Sequence, residues 1–436
     1  LLDENVRIAS FDGTEVVTGN MARPERYRDL AALLERGPVA ARGAGLSYAA
    51  ASMGERVTSV DMTKFDRILA FDPVSGDVTV EAGVRVGALT DFLVARGYFL
   101  PVLPGYPDIT VGGCVAFDVH GKSQVHSGNF AEWVRELWLL HPDHGELCAS
   151  PVQRSELFDL TLGGFGLTGL ITRVSLRTSA LPGSSVEVEA VPIRNLQEAA
   201  ELIQRRVDEV DGLYSWHNLN LSSRFGAGVV FIDRFVQRHS APGARKRSAH
   251  IRRRSPFPVW NRFTTPLAMA GYETLQRLSG RKTVNLRQAM FPIEGLEVFY
   301  LAFGSRGFRE YQIIVPVTRW EPFLTGLERL TRRSRMPIPL ASLKLFKGAP
   351  RNLAFAGEGL CLAIDVPAVP EAFALFSDLD ELAAQHGASV NLSKDSRAPE
   401  QLCRAIFAGY DQFRQALHAF DPRRRFQSRL RERIGV

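Results

Sequence analysis

The chain has 436 residues, 45% hydrophobic and 23% charged, with a formal net charge of +6. That length exceeds one ordinary hydrophobic core and points to two domains of a globular protein, not to a fibrous or disordered chain. No apolar run reaches the roughly 18 residues of a membrane span, and the opening LLDENVRIASFDG lacks the basic start and apolar stretch of a signal peptide, so a cytoplasmic protein is expected. Cys114, Cys148, Cys361 and Cys403 show neither CxxC nor zinc spacing, so they are expected to be reduced thiols, and no metal site is expected.

Pro24 to Arg36 is expected to be a short helix with Leu30, Leu33 and Leu34 on one side. Pro38 to Ala41 reads as a strand that runs into a glycine turn, Arg42-Gly43-Ala44-Gly45-Leu46-Ser47-Tyr48, whose consecutive N–H groups suit a pyrophosphate. Strands follow at Val57–Met62, Ile68–Phe71 and Asp77–Ala82, and a helix at Val86–Arg96. These pieces predict an α+β fold.

Leu100 to Asn129 concentrates the chemistry. Pro101, Pro104 and Pro107 favour extended backbone, and Gly112-Gly113 permits positive φ or a close approach to a ligand. Asp118, His120, Lys122 and His126 come next. From these residues alone, a plain surface turn and a ligand-binding loop both remain open. Gly164, Gly166 and Gly169 satisfy GxGxxG, yet the fingerprint needs a strand before it and a helix after it. Here Ser155–Leu162 is helical and Leu170–Leu176 alternates as a strand, so a Rossmann NAD site is rejected.

After Leu181-Pro182-Gly183 a second, mostly antiparallel α/β region is expected. Its elements are a strand at Ser185–Ile193, a helix at Leu196–Val210, strand candidates within Leu213–Ile232, and strands near Glu297–Phe303 and Glu310–Pro316. A helix near Glu321–Ser334, a strand at Gly359–Val366 and helices at Glu371–His386 and Pro399–His418 complete it. From Arg234 to Tyr272 there is no acidic residue, and two basic triplets occur, Arg245-Lys246-Arg247 and Arg252-Arg253-Arg254. This stretch is expected to be a mobile loop, either merely solvated or attracted to phosphates of a membrane surface or substrate. Nucleic acid is not expected, since no aromatic-interleaved basic face accompanies it.

ARGAGLSYA (41–49), VEAGV (80–84), PVLPGYPDITVGG (101–113), DVHGK (118–122), SGNF (127–130), LTLGGFGLTGLITRV (160–174), GFREYQIIVP (307–316), LKLF (343–346) and LSKDSR (392–397) occur in one order along the chain. Together they resemble the flavin-dependent oxidoreductases of the vanillyl-alcohol oxidase superfamily, most closely the oxidase subunits of decaprenylphosphoryl-β-D-ribose 2′-epimerases. The resemblance implies a PCMH-type FAD-binding domain of two subdomains over 1–181, a substrate or cap domain over 182–387, and a C-terminal return over 388–436. It implies FAD contacts from Arg42, Gly43, Ala44, Gly45, Leu46, Ser47 and Tyr48, and from Pro104, Gly105, Thr110, Gly112, Gly113 and Cys114. Further contacts are implied for Asp118, His120 and Gly121, for Ser127, Gly128 and Asn129, and for Gly166, Gly169 and Ile171. Leu46 occupies the region where many relatives carry a flavin-linking histidine, so the FAD is expected to be non-covalent.

The resemblance also implies His120 beside the isoalloxazine and Lys394 at the reacting hydroxyl, with Lys122, Gln312, Lys344, Ala363 and Asn391 near the substrate. Oxidising a secondary alcohol requires a proton acceptor within hydrogen-bond reach; Lys394 qualifies only if burial depresses its pKa, and otherwise neutral His120 is the better acceptor. A satisfied buried His120 ring, a Lys394 paired with an acid and a Lys122 bound to backbone remain alternatives. Several family residues are absent: Ala363 replaces a cysteine, with Cys361 two positions away, Asn391 replaces a tyrosine and Glu310 a glutamine. The substrate side has thus drifted further than the cofactor side. The expected activity is oxidation of a secondary hydroxyl of a phosphorylated or glycosylated pentose, with an NAD(P)H reductase as possible partner in an epimerisation and peripheral membrane contact through 238–254. Alternatives are an alditol, aldonolactone, nucleoside or glycoside oxidase using oxygen, and a lipid-phosphate binding protein with a degenerate flavin site.

Overall fold

Helices and mostly antiparallel sheets alternate through the computed structural model, which describes residues 2–237 and 255–436. The first sheet has the strand order Leu2–Ala9, Val16–Ala22, Thr58–Asp61, Val39–Arg42, with parallel pairing around Thr58–Asp61. Next to it lies an antiparallel sheet ordered Ile68–Phe71, Val78–Glu81, Leu170–Leu176, Val134–His141, Gly145–Ala149. The C-terminal segment returns to the first sheet. Val39 N–H donates to the Arg425 carbonyl and Gln427 N–H to the Val39 carbonyl, both at 2.9 Å, and Phe426 is buried among Leu30, Leu34 and Val60.

Two further antiparallel sheets occupy the middle of the chain. One is ordered Gly212–Asn218, Ala227–Val236, Ser185–Ile193, Arg281–Val284, and the other Leu340–Phe346, Gly359–Pro367, Phe308–Val315, Ser389–Val390. They meet where the Ser215 hydroxyl donates to the Leu343 carbonyl (3.1 Å) and accepts from Leu343 N–H (3.2 Å). Because side chains alternate across a strand, Ile313, Val315, Leu343, Leu362 and Ile364 join a core with Phe323, Leu327, Leu375 and Phe376 of the helices Trp320–Ser334 and Pro370–Gln385. The intervening residues Glu310, Gln312, Ser342, Lys344, Cys361 and Ala363 face the opposite way, into a cavity.

Several expectations need correction. The turn-rich stretch contains a helix, Val111–Phe117, capped by the Thr110 hydroxyl accepting from Gly113 N–H (3.3 Å), with Val111, Cys114 and Val115 buried on one side. Its Gly112 serves close packing, since a Cβ there would lie 2.9 Å from the Ala82 Cβ. The strand expected near Glu297–Phe303 is a single helical turn, Val298–Leu301; the buried aromatics Tyr300 and Phe303 are three apart, a helical spacing that mimics alternation over so short a run. The helix Leu196–Arg206 gives way to a 3-10 turn before Val210. Within the stretch read as a loop, Arg234–Val236 completes a strand, and Thr264–Ser279 is a helix whose Thr265, Met269 and Glu273 are buried at four-residue spacing. The core of the basic loop, 238–254, lies outside the described residues.

Candidate active site

A cavity of about 540 Å³ separates the first half of the chain from the two central sheets. At one end is the turn after strand Val39–Arg42. Among the described residues, no carbonyl or side chain accepts from the N–H groups of Gly43, Ala44, Gly45, Leu46 or Ser47. Gly45 has φ +71°, a left-handed conformation that curls such a run of donors into an anion-binding concavity. Gly43 allows the turn to touch the neighbouring wall, as a Cβ there would sit 2.2 Å from the Thr110 hydroxyl. Pro104, Gly105, Gly112, Gly113, Asp118, Gly121, Gly166, Gly169 and Ile171 line the same cavity, with Arg42 and Tyr48.

Part of the cavity wall is polar and charged. Lys394 Nζ lies 3.3 Å from Glu310 Oε2 and 3.9 Å from the centre of the Tyr48 ring, an ion pair and a cation–π contact. Burial, together with Lys394 and Lys122, holds the Lys344 pKa below the usual lysine range. Burial, then the charges of Lys344 and Lys394, push His120 well below the usual histidine range, so its ring is neutral at pH 7. Its tautomer follows from a hydrogen-bond chain. Ser393 N–H donates to Asn391 Oδ1 (2.9 Å), so the Asn391 amide donates to Gln312 Oε1 (2.5 Å), and Gln312 Nε2 is left to face His120 Nε2 at 3.4 Å. Nε2 therefore carries the lone pair and the buried Nδ1 the proton.

Not every expected residue reaches the cavity. Cys114 is fully buried beneath its helix. Ser127 and Gly128 form the turn that accepts from Trp133 Nε1, and His126 bonds the Val207 carbonyl. Asn129 is a brace: its amide donates to the carbonyls of Asp118 (3.0 Å) and Phe355 (3.1 Å), and its backbone pairs with His120. It also contacts Asp118, whose carboxyl burial pushes up to about 6. Lys122 lines the cavity but is engaged by Asp233 (3.3 Å), the Ala289 carbonyl and the Tyr214 ring. Sequence reading missed the apolar wall of Tyr214, Trp216, Phe231, Met269, Tyr272 and Phe299. Alternation along Gly212–Asn218 could have suggested Tyr214 and Trp216.

A family profile described as "FAD binding domain" matches residues 21–149. The chain is 27% identical to decaprenylphosphoryl-beta-D-ribose oxidase of Mycolicibacterium smegmatis, over 91% of this chain and 89% of that protein. It is 30% identical to the mitochondrial L-galactono-1,4-lactone dehydrogenase of Arabidopsis thaliana over 44% of this chain and 32% of that protein. A putative D-arabinono-1,4-lactone oxidase of Neurospora crassa is 31% identical over 29% of this chain and 22% of its own. The chain is an FAD-dependent oxidoreductase.

The residues present fit the cofactor. The oxidoreductase offers five consecutive N–H donors from which no described residue accepts, and a glycine pair pressed against Thr110. The FAD-binding profile and the oxidoreductase relatives set aside a binding protein with a degenerate flavin site. Cys361 shares the cavity face with Ala363, two residues on, and receives a hydrogen bond from Gln312 Nε2 at 3.4 Å. Burial pushes its thiol up to about 12, leaving on the order of 10⁻⁵ as thiolate at pH 7. Nitroaromatic compounds that trap a cavity cysteine after reduction are therefore expected to inactivate this oxidoreductase poorly. Intact-mass spectrometry after turnover tests this, and rapid stoichiometric labelling of Cys361 would contradict it.

Proposed function

We propose that the oxidoreductase oxidises a secondary hydroxyl of a phosphorylated or glycosylated pentose to a ketone. The observation that carries this reading is the continuity of one cavity from the Gly43–Ser47 donors to Lys394, Gln312, Lys344 and His120. FAD would be held without a covalent bond by Gly43–Ser47, Thr110, Gly112, Gly113, Gly166 and Gly169, and when bound would supply the two-electron acceptor. Lys394 orients the hydroxyl oxygen and stabilises its negative charge as the proton leaves. His120 accepts that proton at Nε2, and Gln312 and Asn391 fix the ring's tautomer. An imidazolium between Lys344 and Lys394 is disfavoured, so the proton moves on after the oxidation.

On this reading 1–181 and 388–436 form the FAD-binding domain in two subdomains and 182–387 the cap. An NAD(P)H-dependent reductase acting on the ketone would complete an epimerisation. A second reading, oxidation of an alditol or aldonolactone with oxygen as acceptor, is favoured by Glu310 on the cavity wall, a carboxylate suited to a neutral polyol, and by the lactone-oxidising relatives. The anaerobic visible spectrum, recorded before and after adding a polyprenyl-phosphoryl pentose, tests the first. Bleaching supports it; a spectrum that stays oxidised with the pentose but bleaches with an aldonolactone transfers the assignment.

No helix among the described residues is long and apolar enough to cross a membrane. Peripheral contact with an anionic bilayer has a different basis. Leu267, Leu275 and Leu278 form an outward stripe on helix Thr264–Ser279, all at least 64% exposed, with Phe257 and Phe263 beside it. Leu296 and Tyr272 are exposed and also line the cavity. Arg262 precedes the helix, and no acidic residue occurs between Arg234 and Tyr272. An apolar stripe with basic surroundings suits an anionic lipid surface. The protein is expected to float with vesicles of phosphatidylglycerol and phosphatidylcholine, and Leu267→Ser/Leu275→Ser/Leu278→Ser to lose at least tenfold in partitioning. A soluble dimer that the triple variant dissolves would assign the stripe to a second copy instead.

A further inference from the structure

Strands Phe308–Val315 and Gly359–Pro367 are antiparallel, and their register sets Glu310 directly opposite Asp365. Directly opposed residues project from the same face with Cβ atoms about 4.5–5.5 Å apart. Both side chains are buried, Asp365 to 1% exposure. Among the described residues no N–H or O–H group donates to either oxygen of Asp365. Two ionised carboxylates cannot share such a site without donors, because burial and like charge both oppose the second ionisation. The groups facing Asp365 are Glu310 on the adjacent strand, Lys394 from the segment after Ser389–Val390, and the phenols of Tyr48 and Tyr300. Burial raises both phenols far above neutral pH, so neither contributes charge. Lys394 contacts Glu310, not Asp365, leaving Asp365 as the member of the pair that holds a proton.

We propose that Glu310 and Asp365 hold one proton between them, and that the single negative charge remaining on Glu310 matches Lys394 and positions it as an ammonium at the cavity wall. Asp365 donates its O–H to Glu310, Glu310 accepts from Asp365 and Lys394, and the cluster is electrically neutral. Glu310 is the positioning residue, acting through Lys394; Asp365 supplies only the neutral O–H donor that leaves Glu310 its charge. The functional half of the proposal rests on Lys394 orienting the hydroxyl; the shared proton does not. The pairing also explains how a glutamate is accommodated where the family resemblance calls for a neutral amide: the extra charge is offset by the neighbouring ammonium, and the neighbouring aspartate stays protonated.

Infrared difference spectroscopy on the FAD-loaded protein at pH 8, with no substrate, tests the shared proton directly. Wild type minus Asp365→Asn is expected to show the carbonyl stretch of a protonated carboxyl that shifts in heavy water. Absence of that band overturns the proposal, whatever the substrate. Asp365→Asn replaces an O–H donor by an N–H donor of nearly the same shape, so substrate-driven flavin reduction is expected to stay within about threefold of wild type. Glu310→Gln removes the only net negative charge of the pair and is expected to slow reduction at least tenfold while retaining flavin. Equal rates in Glu310→Gln and wild type, with the infrared band present, would leave the proton pair standing and overturn its role in positioning Lys394.

Discussion

Lys394→Ala is expected to purify yellow and to lose substrate-driven flavin reduction by a factor of about 10²–10³, the usual consequence of deleting one charged group aimed at developing negative charge. The cofactor should remain because the Gly43–Ser47 donors belong to a separate segment and no contact joins them to Lys394 Nζ, which spans Glu310 and the Tyr48 ring. The substituted protein has no ammonium at this point of the cavity wall, and Glu310 keeps only its carboxyl neighbour. Lys394→Arg should recover part of the rate: the charge returns, but a planar guanidinium cannot reproduce both the carboxylate and the ring contact of a compact ammonium. Stopped-flow absorbance under anaerobic conditions separates the two possible failures. A reduction rate that falls at saturating sugar identifies loss of a transition-state interaction, whereas a rise in the concentration needed for half-saturation identifies ordinary binding. Wild-type reduction by Lys394→Ala would remove the residue from the mechanism, and with it the reason for a charged cluster at Glu310.

Local chemistry was legible in the sequence, and side-chain pairing across elements was not. The glycine turn at Gly43–Ser47 announced itself because a short strand followed by Gly-Ala-Gly leaves few conformations in which the N–H groups can be satisfied internally. The false GxGxxG was recognisable from the helix before it and the strand after it, and Ser155–Thr161 and Leu170–Leu176 have that order. His120, Gln312, Lys344, Asn391 and Lys394 do meet on one cavity. By contrast, Asn129 and Lys122 share the loop with His120 in sequence but spend their hydrogen bonds on Phe355 and Asp233, residues more than a hundred positions away. Nothing near them in the chain foretells that. The helix Thr264–Ser279 was hidden for another reason. Its outer face is as apolar as its inner one, so the usual contrast between faces is absent, and Pro242, Gly243, Pro256 and Pro258 before it suggested a loop. The opposition of Glu310 and Asp365 depends on strand register, and a slip of one residue would have sent one of them into the core.

Gly43→Val should produce a folded, colourless protein, with FAD affinity reduced on the order of a hundredfold, about 2.7 kcal/mol. The Cβ of residue 43 would fall 2.2 Å from the Thr110 hydroxyl and 3.2 Å from its methyl group. Relief requires the turn to lift away from Thr110 or Thr110 to abandon Gly113 N–H, the bond that caps helix Val111–Phe117. Either movement misaligns N–H donors on two sides of the same cavity, while the cores beneath do not depend on the contact. Gly271→Ala is the matched comparison, since a Cβ at Gly271 meets no atom within 4 Å and the residue does not line the cavity, so flavin should stay in place. The readout is the thermal midpoint with and without added FAD. A ligand that binds only the native state raises the midpoint in proportion to the logarithm of its excess over Kd, so wild type and Gly271→Ala should gain stability at FAD concentrations that leave Gly43→Val unchanged. A Gly43→Val protein that retains the full shift would mean that the cofactor is held without this turn, and the five free N–H groups would then need another anionic ligand.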